Sequence, residues 1–400
     1  MSHTVVIGGG QAGASLVARL RSKGYEGAIT LVGAERVLPY QRPPLSKAYL
    51  TGEMELPRLF LRPEQFYSDQ RIMLKTGTTV SAIDRASKVI EIGTEKLEYD
   101  KLAITTGSKP RLLPANIGGQ LSGIYVVRSL ADVDSMSGEF FTGRRVLVVG
   151  GGYIGLEVAA VAAKRGLQVT VLEMADRILQ RVASPETSDY FRALHQSHGV
   201  DIREGIALKR LIGDERVHGA ELSDGSTLDV DFVIAGIGIV PDVELAEAAG
   251  LEIENGIKVN ALCQTSDPSI YAAGDCCSFP YRGGRLRLES VPNAIEQAET
   301  AADAIMGGTE PYVAKPWFWS DQYDVKLQIA GLNTGYDTVV TRDSGGPVSY
   351  WYYKGNELLA VDAMNDPRSY MMGKRWIEAG KSPSPSDVGN AALELKTLAV

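Results

Sequence analysis

The sequence predicts an α/β protein built from two parallel-sheet nucleotide-binding units and an α+β C-terminal domain. Three observations carry that expectation. TVVIGGGQAGASLVARLRSKGYEGAITLVG, from Thr4, reads as an apolar strand, a glycine turn, a helix to about Lys23 and a second strand. RRVLVVGGGYIGLEVAAVAAKRGLQVTVLE, from Arg144, repeats that plan. Residues 317 to 400 differ in texture: they hold all four tryptophans and the alternating SYWYYKGNELLAVDAM, a hairpin candidate turning at Gly355 and Asn356.

In both βαβ segments the strands are near-continuously apolar, as parallel strands covered on both faces should be. Short β-rich pieces from about Met73 to Gly107 return toward the first sheet, and another return runs from Gly219 through DFVIAGIGIVPD. A helical pattern spans about Asn293 to Met306. The boundaries that follow are 1–110 with 242–316, then 111–241, then 317–400.

The 400 residues, 44% hydrophobic and 22% charged, suffice for two or three domains with sizeable cores. A formal net charge of −8 with no basic cluster argues against a nucleic-acid surface. No apolar run approaches the roughly 18 residues of a membrane span. Cys263, Cys276 and Cys277 are odd in number and lack CxxC or zinc spacing, and no apolar leader precedes them; a reducing cytoplasm without disulfides is expected. Cys276 and Cys277 read as small buried hydrophobes. The four histidines, His3, His195, His198 and His218, form no metal constellation, and His195 with His198 at i, i+3 reads as a helix surface. Monomer and homodimer both remain open.

Gly8, Gly10 and Gly13 fit GxGxxG between a strand and a helix. There the first glycine permits the turn, the second admits a pyrophosphate close to backbone, and the third packs helix on strand. The helix N-terminus then receives the phosphates. Gly150, Gly152 and Gly155 satisfy the same pattern, with Ile154 between them. Two copies, each in a full βαβ frame, make two Rossmann-like dinucleotide sites.

Glu173 ends the second strand of the second unit, where a carboxylate accepts hydrogen bonds from a ribose 2′-hydroxyl and repels a 2′-phosphate. NADH is therefore expected over NADPH, with Arg177 four residues on as the minority, phosphate-gripping alternative. In the first unit Gly33 takes the equivalent place and Glu35 follows two residues later.

Several further stretches resemble one family: the FAD-dependent, NADH-using reductases of two-iron ferredoxins in oxygenase systems, the putidaredoxin reductase-like group with a glutathione-reductase-like plan. LPYQRPPLSKAYL, from Leu38, resembles its flavin-side loop, YAAGDC from Tyr271 its second FAD fingerprint, and RLESVPNAIEQA and PWFWSDQ its flavin-edge helix and the start of its C-terminal domain. The resemblance covers essentially the whole chain. It implies FAD in the N-terminal cradle, on Gly8, Gly10 and Gly13, with Glu35 near the ribose and Arg42 and Lys47 along the flavin. It implies NADH in the second cradle, on Gly150, Gly152, Ile154, Gly155, Glu173 and Gly238. Thr106, Gly107, Gly274, Asp275 and Val291 are the remaining FAD contacts implied, Asp275 accepting from ribityl or phosphate-linked hydroxyls. The family's ATG segment reads TTG here, from Thr105 to Gly107. The helix from about Asn293 would aim its positive end at the flavin, a stabilisation on the order of 1 kcal/mol.

The resemblance also pairs Glu157 with Lys47 beside the nicotinamide and flavin rings. At about 4 Å and an effective dielectric near 20 their attraction is about 4 kcal/mol, much of it cancelled by desolvation, so the pair is assigned mainly to orientation. Disulfide- and peroxide-reducing relatives of the same plan carry cysteine in the loop that reads PYQRPPLSK here. This chain has no cysteine before Cys263, so electrons are expected to leave directly from the flavin.

Trp317, Phe318 and Trp319 are implied on the flavin's exposed side, Trp319 as the contact, or else they are domain-junction core. Arg282, Arg285, Arg287 and Lys315 are docking candidates for an acidic ferredoxin, or else a solvated face. The activity implied is NADH:ferredoxin reduction feeding a haem monooxygenase or Rieske oxygenase. An NADH oxidase or peroxidase, and an apoptosis-inducing-factor-like NADH-binding flavoprotein, are the alternatives.

Overall fold

A computed structural model describes residues 2–399. They divide into two compact units, the first gathering residues 1–42, 55–109 and 239–316. At its centre is a five-stranded parallel sheet in the order Ile270–Ala272, Lys101–Ile104, His3–Ile7, Ala28–Val32, Ile72–Lys75. Val5, Val6, Leu31, Leu102 and Ile104 are fully buried within it, consecutive positions included. Helices on both faces therefore remove the alternation a one-sided sheet would show.

Helix Gln11–Ser22 buries Leu16, Val17 and Leu20 and packs on helix Val291–Ile305, which offers Ala298, Ala301 and Ala302. Small side chains allow that close approach, and Arg19 closes it with two bonds to Asp303, at 2.9 and 2.7 Å. Helix Val291–Ile305 starts two residues earlier than its apolar pattern suggests. Ser290 caps it by accepting from the Asn293 N–H at 3.3 Å, and Pro292 sits in the first turn, where its missing N–H costs no helical bond.

The second unit comprises residues 43–54, 110–238 and 317–400. Its parallel sheet repeats the first in plan: Asp201–Glu204, Gln168–Glu173, Arg145–Val149, Phe232–Ala235, Ile124–Tyr125. The C-terminal segment forms a five-stranded antiparallel sheet in the order Trp317–Gln322, Val325–Gly331, Glu357–Met364, Val348–Lys354, Thr338–Asp343. Its hairpin turns at Gly355 and Asn356 as the alternation predicts: Lys354 pairs with Glu357, and Gly355 takes φ +55°. Helix Pro367–Glu378 lies close on this sheet at Gly373, where an added Cβ would come within 2.5 Å of Val361.

A polar knot ties the C-terminal sheet to the start of helix Pro185–Ser197. Asp362, 1% exposed on strand Glu357–Met364, accepts from Thr187 Oγ1 at 2.7 Å and from the Tyr352 hydroxyl, while Tyr352 accepts from the Ser184 N–H at 3.0 Å. Among the described residues no helix is long and apolar enough to cross a membrane.

Candidate active site

The two glycine loops are built alike. Gly8 and Gly150 take φ +120° and +111°, and a Cβ on either would collide with a facing carbonyl oxygen, Thr105 at 2.2 Å and Gly236 at 2.4 Å. Gly13 and Gly155 are closed in the same way by the carbonyls of Gly8 at 2.0 Å and Gly150 at 2.2 Å. The middle glycines differ: around Gly10 and Gly152 nothing lies within 4 Å of an added Cβ. Each then opens a twelve-residue helix, Gln11–Ser22 or Tyr153–Lys164, with no side chain capping the first N–H groups. Bare amides, the positive helix end and open space at the middle glycine are what a pyrophosphate requires, so both cradles fit a dinucleotide. Ile154, 42% exposed, stands on the first turn of the second.

Glu173 holds the second cradle's shape. Its Oε2 accepts from the Gly151 N–H and its Oε1 from the Ala175 N–H, both at 2.8 Å. Arg177 is spent on the following loop, donating to the Ala183 carbonyl at 2.8 Å, the Ser184 carbonyl at 3.1 Å and the Ser188 hydroxyl. Gly238, at φ +99°, has Arg181 and Arg111 as its nearest side chains.

In the first unit Gly33 packs closely on Gly9, and the acid arrives from Glu35, whose Oε1 takes Arg42 at 2.7 Å and whose Oε2 takes the Tyr40 hydroxyl. The guanidinium of Arg42 also lies over the Tyr40 ring at 5.2 Å. Ser108 Oγ donates to Asp275 at 2.9 Å, Thr106 Oγ1 to the Asp242 carbonyl at 2.7 Å, and the Gly274 N–H to Gln297 Oε1 at 2.8 Å. Gly107 and Gly274 take φ +74° and +88°. Val291 is the first residue of its helix.

Lys47 and Glu157 meet at 2.7 Å, with side chains 20% and 6% exposed. Pro43 and Pro44 open a short 3-10 turn, Pro43–Ser46, and the Pro44 carbonyl takes the N–H groups of both Lys47 and Tyr49. That turn sets Ser46 and Lys47 side by side against helix Tyr153–Lys164. Helix residues Leu156 to Ala162 are all buried, and Glu157 is the only charge among them. A carboxylate there is tolerable because donors meet both oxygens: Ser46 Oγ at 2.6 Å and Lys47 on Oε2, Ser320 Oγ at 2.7 Å on Oε1.

Sequence reasoning missed Ser46, Ser320 and Gln322. Ser320 and Gln322 stand two apart on strand Trp317–Gln322, so they share a face, but only the structure shows that this face is fully buried. Trp319 and Trp317 occupy the other face of that strand, ring centroids 5.5 Å apart, with Phe318 tilted against Tyr153 at 4.9 Å.

His195 corrects the surface reading: it is 0% exposed, and burial pushes its imidazole down to about 4. Helix Pro185–Ser197 is covered on that side by Gln322 and Tyr323, which a helical period alone does not reveal. The cysteines are free and fully buried. Burial pushes the Cys263 thiol up to about 12 and the Cys276 thiol up to about 11, so neither presents a thiolate near neutrality. Of the docking candidates, Arg285 donates to the Ser278 and Val259 carbonyls and Arg287 pairs with Glu289 at 2.6 Å, while Lys315 is exposed.

Two dinucleotide cradles on successive parallel sheets, a loop that delivers lysine instead of a thiol, and an antiparallel C-terminal sheet define a two-nucleotide oxidoreductase. The chain belongs to the pyridine nucleotide-disulphide oxidoreductase family, matched over residues 2–298, and to its putidaredoxin reductase-like ferredoxin reductases; residues 317–399 match the reductase C-terminal family. It is similar to rhodocoxin reductase of Rhodococcus erythropolis, 42% identical, covering 98% of this chain and 93% of that one. Putidaredoxin reductase of Pseudomonas putida is 41% identical, covering 99% and 96%. A covalent putidaredoxin reductase–putidaredoxin complex matches with a TM-score of 0.95 at 40% identity, covering 99% of this chain and 97% of that chain.

Proposed function

We propose that this protein is an NADH:ferredoxin reductase, holding FAD in the N-terminal cradle and NADH in the second, and serving a two-iron ferredoxin of an oxygenase system. The observation that carries this reading is the Lys47–Glu157 pair, its lysine in a loop where disulfide- and peroxide-reducing chemistry would need a thiol. Bound FAD supplies the exchange between a two-electron hydride and single electrons. The chain's own residues bind, orient and exclude water. The bare N-termini of helices Gln11–Ser22 and Tyr153–Lys164 hold the two pyrophosphates, and Glu173 selects the unphosphorylated ribose.

Asp275, kept in place by Ser108, would accept from polyol hydroxyls, and Val291, at the start of its helix, would present the positive helix end to the flavin. Glu157 fixes the Lys47 ammonium, which would supply an oriented positive charge to a bound cofactor ring. Trp319 stands at the exit face. The ferredoxin reductases similar to this chain, among them the one captured with putidaredoxin, support the choice of acceptor.

Anaerobic mixing with NADH, then with a panel of two-iron ferredoxins, tests it. Flavin bleaching followed by iron–sulfur reduction is the expected sequence. Vigorous oxygen uptake without ferredoxin, or bleaching with no transfer to any ferredoxin, would overturn the assignment.

A further inference from the structure

Behind Glu157 runs a file of hydrogen-bonded side chains that electron transfer does not itself require. Ser320 Oγ lies 2.7 Å from Glu157 Oε1, Gln322 Nε2 lies 3.2 Å from Ser320 Oγ, and Gln322 Oε1 lies 2.8 Å from His195 Nε2. The Tyr323 hydroxyl follows, 3.3 Å from His195 Nδ1. Ser320, Gln322 and His195 are each 0% exposed, so each polar group depends on its neighbours in the file.

The donors can be assigned by elimination. An ionised carboxylate only accepts, so Ser320 donates to Glu157. The serine oxygen then takes an N–H, which turns the Gln322 nitrogen toward it and the Gln322 oxygen toward His195. That oxygen requires a donor, which makes Nε2 the protonated nitrogen of the ring and leaves Nδ1 to accept from Tyr323. Burial, which pushes the His195 imidazole down to about 4, keeps the ring neutral with one proton to place. All four donors point the same way, and such a chain of dipoles polarises cooperatively toward its end.

We infer that His195 is a positioning residue for Glu157: fixed as the Nε2–H tautomer, it orients Gln322 and Ser320 so that the file ends as a donor on the carboxylate facing Lys47. The file ties helix Pro185–Ser197, strand Trp317–Gln322 and helix Tyr153–Lys164 together. Its outer end is clamped. Tyr323 takes the left-handed φ of +56°, His198 stacks on its ring at 3.7 Å, and Lys164 lies 6.0 Å over the same ring and donates to its carbonyl at 3.2 Å. The titratable groups around the ring are thus His198 and Tyr323, with Lys164 behind them and the Lys47–Glu157 pair at the far end.

The inference rests on the reading that Glu157 serves hydride transfer, and the test separates the two. In the holoenzyme labelled with 15N-histidine, His195, assigned through His195→Gln, should show a protonated Nε2 and a bare Nδ1 from about pH 5.5 to about pH 8.5. The Nδ1–H tautomer would turn Gln322 round, take the donor away from Ser320, and overturn the inference even if no variant folded.

The carboxyl 13C resonance of Glu157, assigned through Glu157→Gln, should move in His195→Phe and Gln322→Leu. It should return toward its native position in His195→Gln, whose amide N–H can still donate to Gln322. Flavin reduction by NADH should slow roughly 2- to 30-fold in His195→Phe with the KM for NADH unchanged. A slow Glu157→Gln beside an unmoved Glu157 resonance in His195→Phe defeats the inference alone. A normal rate in Glu157→Gln defeats the hydride-transfer role of Glu157 and, with it, the positioning assigned to His195.

Discussion

Lys47 and Glu157 stand 2.7 Å apart, and the glutamate keeps two serine hydroxyls, from Ser46 and Ser320, in addition to the lysine. A buried ion pair by itself contributes little net stability, because desolvation offsets attraction. Its value lies in geometry. Glu157→Gln retains shape but loses the charge that fixes the ammonium. Stopped-flow reduction by NADH under anaerobic conditions should slow roughly 10- to 100-fold while flavin content and melting temperature change little. An unchanged rate would retire the orienting role.

The two middle glycines face open space, whereas their neighbours do not. Gly152→Val should therefore fold, retain flavin and raise the KM for NADH, its new methyls standing where the pyrophosphate belongs. Gly155→Ala places a methyl 2.2 Å from the Gly150 carbonyl and should lower the melting temperature instead. Equal effects of the two substitutions on folding would contradict the packing that separates them.

Glu173 accepts from two loop amides as well as from the proposed ribose. In Glu173→Gln the amide oxygen can still take the Gly151 N–H, so the cradle persists. The preference for NADH over NADPH should fall about tenfold, read as a ratio of kcat/KM values.

Asp362 and His195 make opposite contributions to stability between about pH 4 and about pH 6.5. Burial pushes the Asp362 carboxyl up to about 6 from an ordinary 3.8, so the folded state holds the extra proton. Its contribution is full below the ordinary value and is lost as pH rises through 6. His195, pushed down to about 4 from 6.5, is charged more readily when unfolded, so its contribution is present above 6.5 and lost as pH falls toward 4. In denaturant titrations across this window, Asp362→Asn should tilt the curve toward higher stability at higher pH, relative to the native protein, and His195→Gln the other way. Parallel curves would show that neither group titrates as described.

All three thiols are buried, and none lies in the segment 43–54 that carries Lys47. Treatment of the native enzyme with an alkylating reagent should leave NADH-driven ferredoxin reduction intact. Loss of turnover that tracks modification of Cys263, Cys276 or Cys277 would place sulfur in the electron path.

The layout of both α/β sheets was readable because it depends on local order: apolar strand, glycine turn, amphipathic helix, strand. The helix at Val291 began earlier than its apolar period because its start is set by the Ser290 cap and Pro292, features outside that period. His195 was misread for a related reason. Its spacing from His198 fixes a helix face, but whether Gln322 and Tyr323 cover that face is decided by a strand remote in the chain.

By itself, then, the sequence determined two dinucleotide cradles and a Lys47 loop without cysteine, since glycine spacing and the absence of a residue type are properties of the chain. Only the tertiary structure decided which groups surround Glu157. A buried carboxylate takes whatever donors packing brings to it, and Ser46, Ser320, Gln322 and His195 come from three separate stretches that no local pattern connects.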